Sequence, residues 1–204
     1  MKKPAQVCLA AFSLIELLTV IGILAILAGA GTAVFTDMRS SGVSSSTAQV
    51  GGVLSMARDQ AVAANRRVRF VIVTADTQNP EDWRLRRSGL LQQKGLNPSA
   101  NDWEPTGPLS QLPNGVFFGK NEKDGASVGS QMLDRKSTAN IQGKNISYSY
   151  IEFLPNGAAN DVSGSNIFSI AGLANAASQQ VINPENVARL GVTQHTGRVR
   201  IERP

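Results

Sequence analysis

The chain has 204 residues, 42% of them apolar, with 20 Lys+Arg against 15 Asp+Glu, one Cys and one His. That length suits one domain, or one domain with an appendage, and the apolar share excludes a wholly disordered chain. Cys8 alone excludes an internal disulfide framework and cysteine zinc sites, and His195 alone removes most histidine-ligated metal catalysis.

Apolar residues concentrate between Val7 and Phe35, where the only charge is Glu16. The uninterrupted part, Leu17–Phe35, is 19 residues, about 28 Å as a helix. A hydrocarbon core of about 30 Å matches it. Lys2 and Lys3 precede it, which predicts a single-pass protein of the inner (cytoplasmic) membrane. Its N-terminus would be cytoplasmic and its C-terminal domain periplasmic or otherwise extracytoplasmic. A secretory signal has a shorter apolar core, of roughly 7–15 residues. A lipoprotein signal would need small residues before Cys8, where Gln6 and Val7 stand. A plain anchor leaves Glu16 unexplained, because an acid inside the bilayer costs about 2.5–3.5 kcal/mol even on lenient scales.

Ala11-Phe12-Ser13-Leu14-Ile15-Glu16-Leu17-Leu18-Thr19-Val20 resembles the prepilin signal of type IV pilins and type II secretion pseudopilins. The resemblance implies cleavage between Ala11 and Phe12 by a prepilin peptidase that also methylates the new amino terminus of Phe12. It implies that Glu16 sets assembly register by meeting the amino group of a neighbouring subunit, since a carboxylate in low dielectric is tolerable beside an ammonium. The family usually has Gly before the cut; Ala11 is the next smallest residue. Loss of residues 1–11 removes Lys2, Lys3 and Cys8, leaving 18 basic and 15 acidic residues.

Beyond Phe35, Val43, Thr47, Val50, Leu54, Ala57 and Ala61 fall on one helical stripe. Gly42, Gly51 and Gly52 weaken that helix by roughly 1 kcal/mol each relative to Ala, so packing of the stripe against a sheet must compensate. Ser40–Thr47 is the candidate bend, and the helix should end near Asn65 or Arg66. Arg66, Arg67 and Arg69 read as the charged flank of that end.

Val68–Val73 is a β-branched run, stopped by the turn-prone Asn79-Pro80-Glu81-Asp82. Trp83–Leu91 alternates as a second strand would. Gly95–Pro108 reads as loop, Gly115–Phe118 as a short strand, and residues 119–145 as a polar surface insertion. Ile146–Leu154 alternates and meets the turn signal Pro155-Asn156-Gly157. Asn166–Leu173, Val187–Thr193 and Arg198–Ile201 offer further strands. The predicted fold class is α+β: a long N-terminal helix, with a membrane half and an amphipathic half, packed on an antiparallel β-sheet domain. The predicted segments are a leader at 1–11, the membrane half at 12–35, the amphipathic half at 36–66 and a β-rich head at 67–204.

Three later places, in order, resemble the GspH/FimT-like minor pseudopilins. They are Ala57-Arg58-Asp59-Gln60-Ala61 through Arg67-Val68, Ile151-Glu152-Phe153-Leu154-Pro155-Asn156-Gly157, and Thr196-Gly197-Arg198-Val199-Arg200-Ile201. The resemblance implies a type IV pilin-like head and a structural, non-enzymatic subunit of a type II secretion or type IV pilus-like filament. The implied partners are the prepilin peptidase/N-methyltransferase, other pilins or pseudopilins, an inner-membrane assembly platform and membrane lipid, with no cofactor and no metal. In the FimT-like branch a C-terminal Gly-Arg-x-Arg is associated with DNA uptake, and Gly197-Arg198-Val199-Arg200 matches it. Phosphate contacts from Arg198 and Arg200 would then be salt-sensitive; the competing reading is a charged edge strand that resists aggregation. A third reading is a membrane-anchored β domain that never assembles.

Other constellations are weaker. Gly125-Ala126-Ser127-Val128-Gly129 fits a nucleophile elbow, and Ser127, Asp161 and His195 follow hydrolase order. An elbow needs a buried strand before it, but Asn121-Glu122-Lys123-Asp124 is loop chemistry. Glu81-Asp82 and Asp102 with Glu104 are candidate calcium acids, although calcium needs six to eight converging oxygens.

Overall fold

The computed structural model describes residues 14–74, 76–95, 102–120, 133, 135–160, 167–172 and 186–203, with the side chains of 27–41, 120 and 167 left aside. Two compact units divide the chain, Met1–Met38 and Arg39–Pro204.

The helix α1 is Leu14–Ala64. The first unit contains its N-terminal part, where every described side chain from Leu14 to Ile26 is exposed. Among the described residues no helix is long and apolar enough to cross a membrane. Of the expected membrane half at 12–35, residues 12–13 and the side chains of 27–35 lie outside the described set.

In the second unit the backbone is helical across the expected bend. Hydroxyls there turn back onto the helix: Ser46 Oγ donates to the Gly42 carbonyl and Thr47 Oγ1 to the Val43 carbonyl, both at 2.7 Å. Satisfied in this way, Ser and Thr cease to compete with the helix. All six stripe residues are buried. The helix closes with Asn65 at φ 49°, Asn65 N–H on the Val62 carbonyl and Arg66 N–H on the Ala61 carbonyl. A left-handed residue with these two bonds satisfies the last carbonyls.

Among the described residues the expected single sheet is two. Strands β1 (Val68–Val73), β2 (Arg87–Gln93), β3 (Trp103–Pro105), β4 (Ser110–Gln111), β6 (Lys136–Ile141), β7 (Lys144–Phe153) and β8 (Ala159–Asn160) form a seven-stranded sheet of order β3-β2-β1-β7-β6. In it β4 pairs with β2, and β8 with β7. Strands β5 (Val116–Lys120), β9 (Ile167–Gly172), β10 (Val187–Val192) and β11 (Val199–Glu202) form a four-stranded sheet of order β11-β10-β9-β5. Every pairing is antiparallel.

One core joins the α1 stripe to both sheets, through Phe70, Ile72, Ile151 and Phe153 of the larger and Phe118, Phe168, Ile170 and Leu190 of the smaller. Phe70 stacks on Phe168 at 5.9 Å between centroids, and Phe118 meets Phe168 edge-on at 5.8 Å. A second cluster, including Val71, Val73, Trp83, Leu91, Trp103, Ile146 and Tyr148, covers the other face of the larger sheet. Burial on both faces explains why all six β1 residues are buried, a continuous apolar run rather than an alternating one.

Three further expectations are corrected. Residues 83–86 are a turn rather than the start of β2, with Leu85 at φ 55° and its N–H on the Val73 carbonyl. Trp83 joins the outer cluster and Leu85 the inner one, so the alternation reflects a turn that delivers side chains to both faces. Trp103–Pro105 lies within the expected 95–108 loop yet pairs with β2. Lys136–Ile141, within the expected insertion, pairs with β7 through a hairpin whose Gln142 and Gly143 have φ 54° and 77°.

Candidate functional site

Ala11 and Phe12, the expected cleavage and methylation residues, lie outside the described residues. Glu16 stands in the first turn of α1 and is exposed. An acid there favours the helix N-terminus through the peptide dipoles. The Thr19 hydroxyl donates to the Glu16 carbonyl at 2.8 Å, which satisfies that hydroxyl without using the carboxylate. Around the acid, Leu14, Ile15, Leu17, Leu18, Val20 and Ile21 are all largely exposed. Exposed apolar residues thus flank a single acid here.

The C-terminal arginines occupy the edge of the smaller sheet. Arg200 lies within β11 and Arg198 one residue before it, and both are exposed. Arg189 and Gly191 of β10 stand opposite Glu202 and Arg200. Together with Val192 and Thr193 they line a depression of about 220 Å³. Gly191 contributes no side chain, and Arg189, Arg200 and Glu202 are the charged residues of the lining.

Two arginines prove to be structural anchors: Arg58, which the sequence assigned no role, and Arg69, expected to flank the helix end. Arg58 Nε donates to the carbonyl of Thr196 at 2.9 Å and to that of Gly157 at 3.3 Å. Gly157 and Gly197, at φ 80° and 60°, bring their turns close enough that a Cβ on Gly197 would collide with the Gly157 carbonyl. The helix end, the Pro155-Asn156-Gly157 turn and the Thr196-Gly197 turn therefore meet at one point. These are the same three places that carried the family resemblance. The one signal was Arg58 beside the buried stripe, with two glycine turns far along the chain.

Arg69 does not flank the helix end. It is buried on β1 opposite Glu152 of β7, with Nε 2.8 Å from Oε2. Its guanidinium lies between the rings of Trp103 (3.7 Å) and Tyr150 (4.0 Å). Arg67 reaches Glu152 Oε1 at 3.2 Å, and Asn160 donates to the same oxygen at 3.3 Å. Every close partner of this carboxylate is a donor, as a buried charge requires.

The weaker constellations do not assemble. Ser127 and Asp161 lie outside the described residues, and His195 is an exposed turn residue. Asp82 faces Arg87 at 3.6 Å and Glu104 faces Lys94 at 3.6 Å, so these acids are directed at cations. Among the described residues no group of three or more His, Cys, Asp or Glu converges on a common point.

No protein-family model matches the chain, and no curated protein matches it. Among the solved structures similar to it are two of the minor pseudopilin EpsH from the type 2 secretion system of Vibrio cholerae. One has 14% identity over 79% of this chain and 97% of that chain, with a TM-score of 0.43. The other has 13% identity over 81% and 96%, with a TM-score of 0.46.

Proposed function

We propose that this chain is a minor pilin or pseudopilin, a non-enzymatic subunit of a type II secretion or type IV pilus-like filament. The observation that carries the reading is Glu16 at the head of a 19-residue apolar run, four residues after Phe12 of the small-aromatic pair Ala11-Phe12. In this reading the precursor sits in the inner membrane with its N-terminus cytoplasmic, and a prepilin peptidase cuts before Phe12 and methylates it. The apolar helix then leaves lipid and packs beside those of other pilins on an assembly platform. The Glu16 carboxylate meets the amino group of a neighbour's first residue. Pairing offsets an insertion cost of about 2.5–3.5 kcal/mol and fixes axial register. The exposed apolar face from Leu14 to Ile26 supports the reading as a surface that needs lipid or sister helices around it. The nucleic-acid reading of Arg198 and Arg200 is less favoured, because Glu202 shares the depression with Arg200 and would oppose a phosphate.

The test is Glu16→Ala in cells that hold the assembly machinery. Membrane insertion and cleavage should persist while incorporation into filaments is lost. Wild-type incorporation of that variant would refute the reading.

A further inference from the structure

The tetrapeptide Leu-Pro-Asn-Gly occurs twice, at Leu112–Gly115 and at Leu154–Gly157, and these hold both Asn-Gly pairs of the chain. An asparagine amide followed by glycine is open to attack by the next main-chain nitrogen, because glycine has no Cβ to hinder the approach. The fold places the two copies one step apart in their turns. At the first, the Val116 N–H donates to the Pro113 carbonyl at 3.1 Å and Gly115 has φ 80°. That is a type II turn with Asn114 second and glycine third, closed by Val116. Among the described residues the Gly115 N–H meets no acceptor. At the second copy Asn156 stands third, and the Gly157 N–H itself closes the turn on the Leu154 carbonyl at 2.8 Å.

The asparagine side chains differ too. Asn156 Oδ1 accepts the Ala158 N–H at 3.0 Å, an Asx turn that fixes it. Gly157 is buried, with its carbonyl held by Arg58. Asn114 Oδ1 instead accepts from Arg86 Nη2 at 2.7 Å, and the same nitrogen donates to the Leu112 carbonyl at 3.2 Å. A guanidinium only donates, so the atom it meets on Asn114 is the amide oxygen. Asn114 is exposed, Gly115 is half-buried, and the space where a Gly115 Cβ would stand is open.

We propose that Asn114 is a site of spontaneous modification, converted by water to aspartate and isoaspartate through a cyclic imide closed by the Gly115 nitrogen. Hydroxide takes the free Gly115 amide proton and the nitrogen attacks Asn114 Cγ. The N–Cγ bond forms and negative charge gathers on Oδ1, where Arg86 Nη2 acts as an oxyanion donor. The Cγ–Nδ2 bond then breaks and Nδ2 leaves as ammonia with a proton from water. A second water opens the imide at either carbonyl, so the net change is asparagine plus water to aspartate plus ammonia. Asn156 is protected, because closing the same ring would break the Gly157 and Ala158 hydrogen bonds, and a bonded N–H gives up its proton less readily. The product sets a carboxylate beside Arg86 at the entry to β5. In isoaspartate it also adds a methylene to the main chain, two residues before the Val116–Gly172 pair. The proposal stands on the two turns and does not depend on the filament reading.

The test incubates the full chain in detergent micelles at mildly alkaline pH and follows both asparagines by peptide fragmentation and isoaspartyl methyltransferase labelling. Asn114 should convert first, with Asn156 slower by roughly tenfold, the scale of one net hydrogen bond that must break beforehand. Arg86→Gln should slow Asn114 several-fold, well below the roughly 10²–10³ of an enclosed oxyanion donor, because water screens this one. In concentrated urea the two identical tetrapeptides should react alike. An inert Asn114, equal rates in the folded chain, or faster loss at Asn156 would overturn the proposal. So would a rate indifferent to Arg86→Gln in a folded variant, or a bias that persists in urea and so belongs to the flanking sequence. The comparison within the wild-type chain decides the matter even where Arg86→Gln fails to fold.

Discussion

Arg58 Nε and the Thr196 carbonyl, 138 positions apart in sequence, are 2.9 Å apart in the fold. The same N–H reaches the Gly157 carbonyl, so one side chain on α1 holds two turns that are distant in sequence. A hydrogen bond from a charged donor contributes about 1.5–3 kcal/mol. Arg58→Ala should lower stability by roughly 2 kcal/mol, read as a shift in the urea midpoint. Arg58→Lys should recover little of that, because a lysine ammonium lacks the planar fork of donors. Full rescue by lysine would mean that charge alone matters there.

Gly197 tests the same junction from the other side. A Cβ there meets the Gly157 carbonyl and lies 3.1 Å from Arg58 Cδ, on a backbone at φ 60°. Gly197→Ala should therefore cost more than the roughly 1 kcal/mol of an unfavourable backbone region. Gly115 provides the control, with φ 80° and open space around its Cβ position. Gly115→Ala should show the backbone cost alone. Thermal unfolding of the two variants side by side measures the difference, and equal losses would argue against a steric junction at Gly197.

Glu152 is the acid that the fold depends on most. Its side chain is 3% exposed and that of Arg69 11%, while Arg67 is half exposed. Removing one partner of a buried pair leaves the other charge uncompensated, at about 3–5 kcal/mol. Glu152→Gln should approach that loss, whereas Arg67→Ala should cost under about 1 kcal/mol, as exposed pairs do. Urea titration distinguishes the two; similar small losses would show that water reaches the pair.

Purified protein from cells with the processing enzyme should begin at Phe12 and carry one methyl group on its amino nitrogen. Intact-mass and N-terminal peptide measurements check this directly. Material beginning at Met1 would favour the simple anchor instead. Arg198 and Arg200 are irrelevant to this outcome, so it separates the assembly reading from any account of the C-terminal edge.

Local chemistry made several elements legible in the sequence. The stripe from Val43 to Ala61 is buried as its spacing required, because helical periodicity places those residues on one face whatever packs there. The β-branched run at Val68–Val73 and the turn at Pro155-Asn156-Gly157 followed from backbone preference alone. Partnership was not legible. A period of two says which residues share a face, not which strand lies alongside, so the division into two sheets and the pairing of Lys136–Ile141 with β7 appeared only in the fold. The alternation from Trp83 to Arg86 suggested a strand, in which Trp83 and Leu85 would share a face; the left-handed turn at Leu85 instead sends them to opposite faces of the larger sheet. The roles of Arg58 and Arg69 were not readable from their own surroundings, since they come from carbonyls and a carboxylate 83 to 138 residues away. Contacts of that range are set by how the whole chain closes on its core, and no local stretch encodes them by itself.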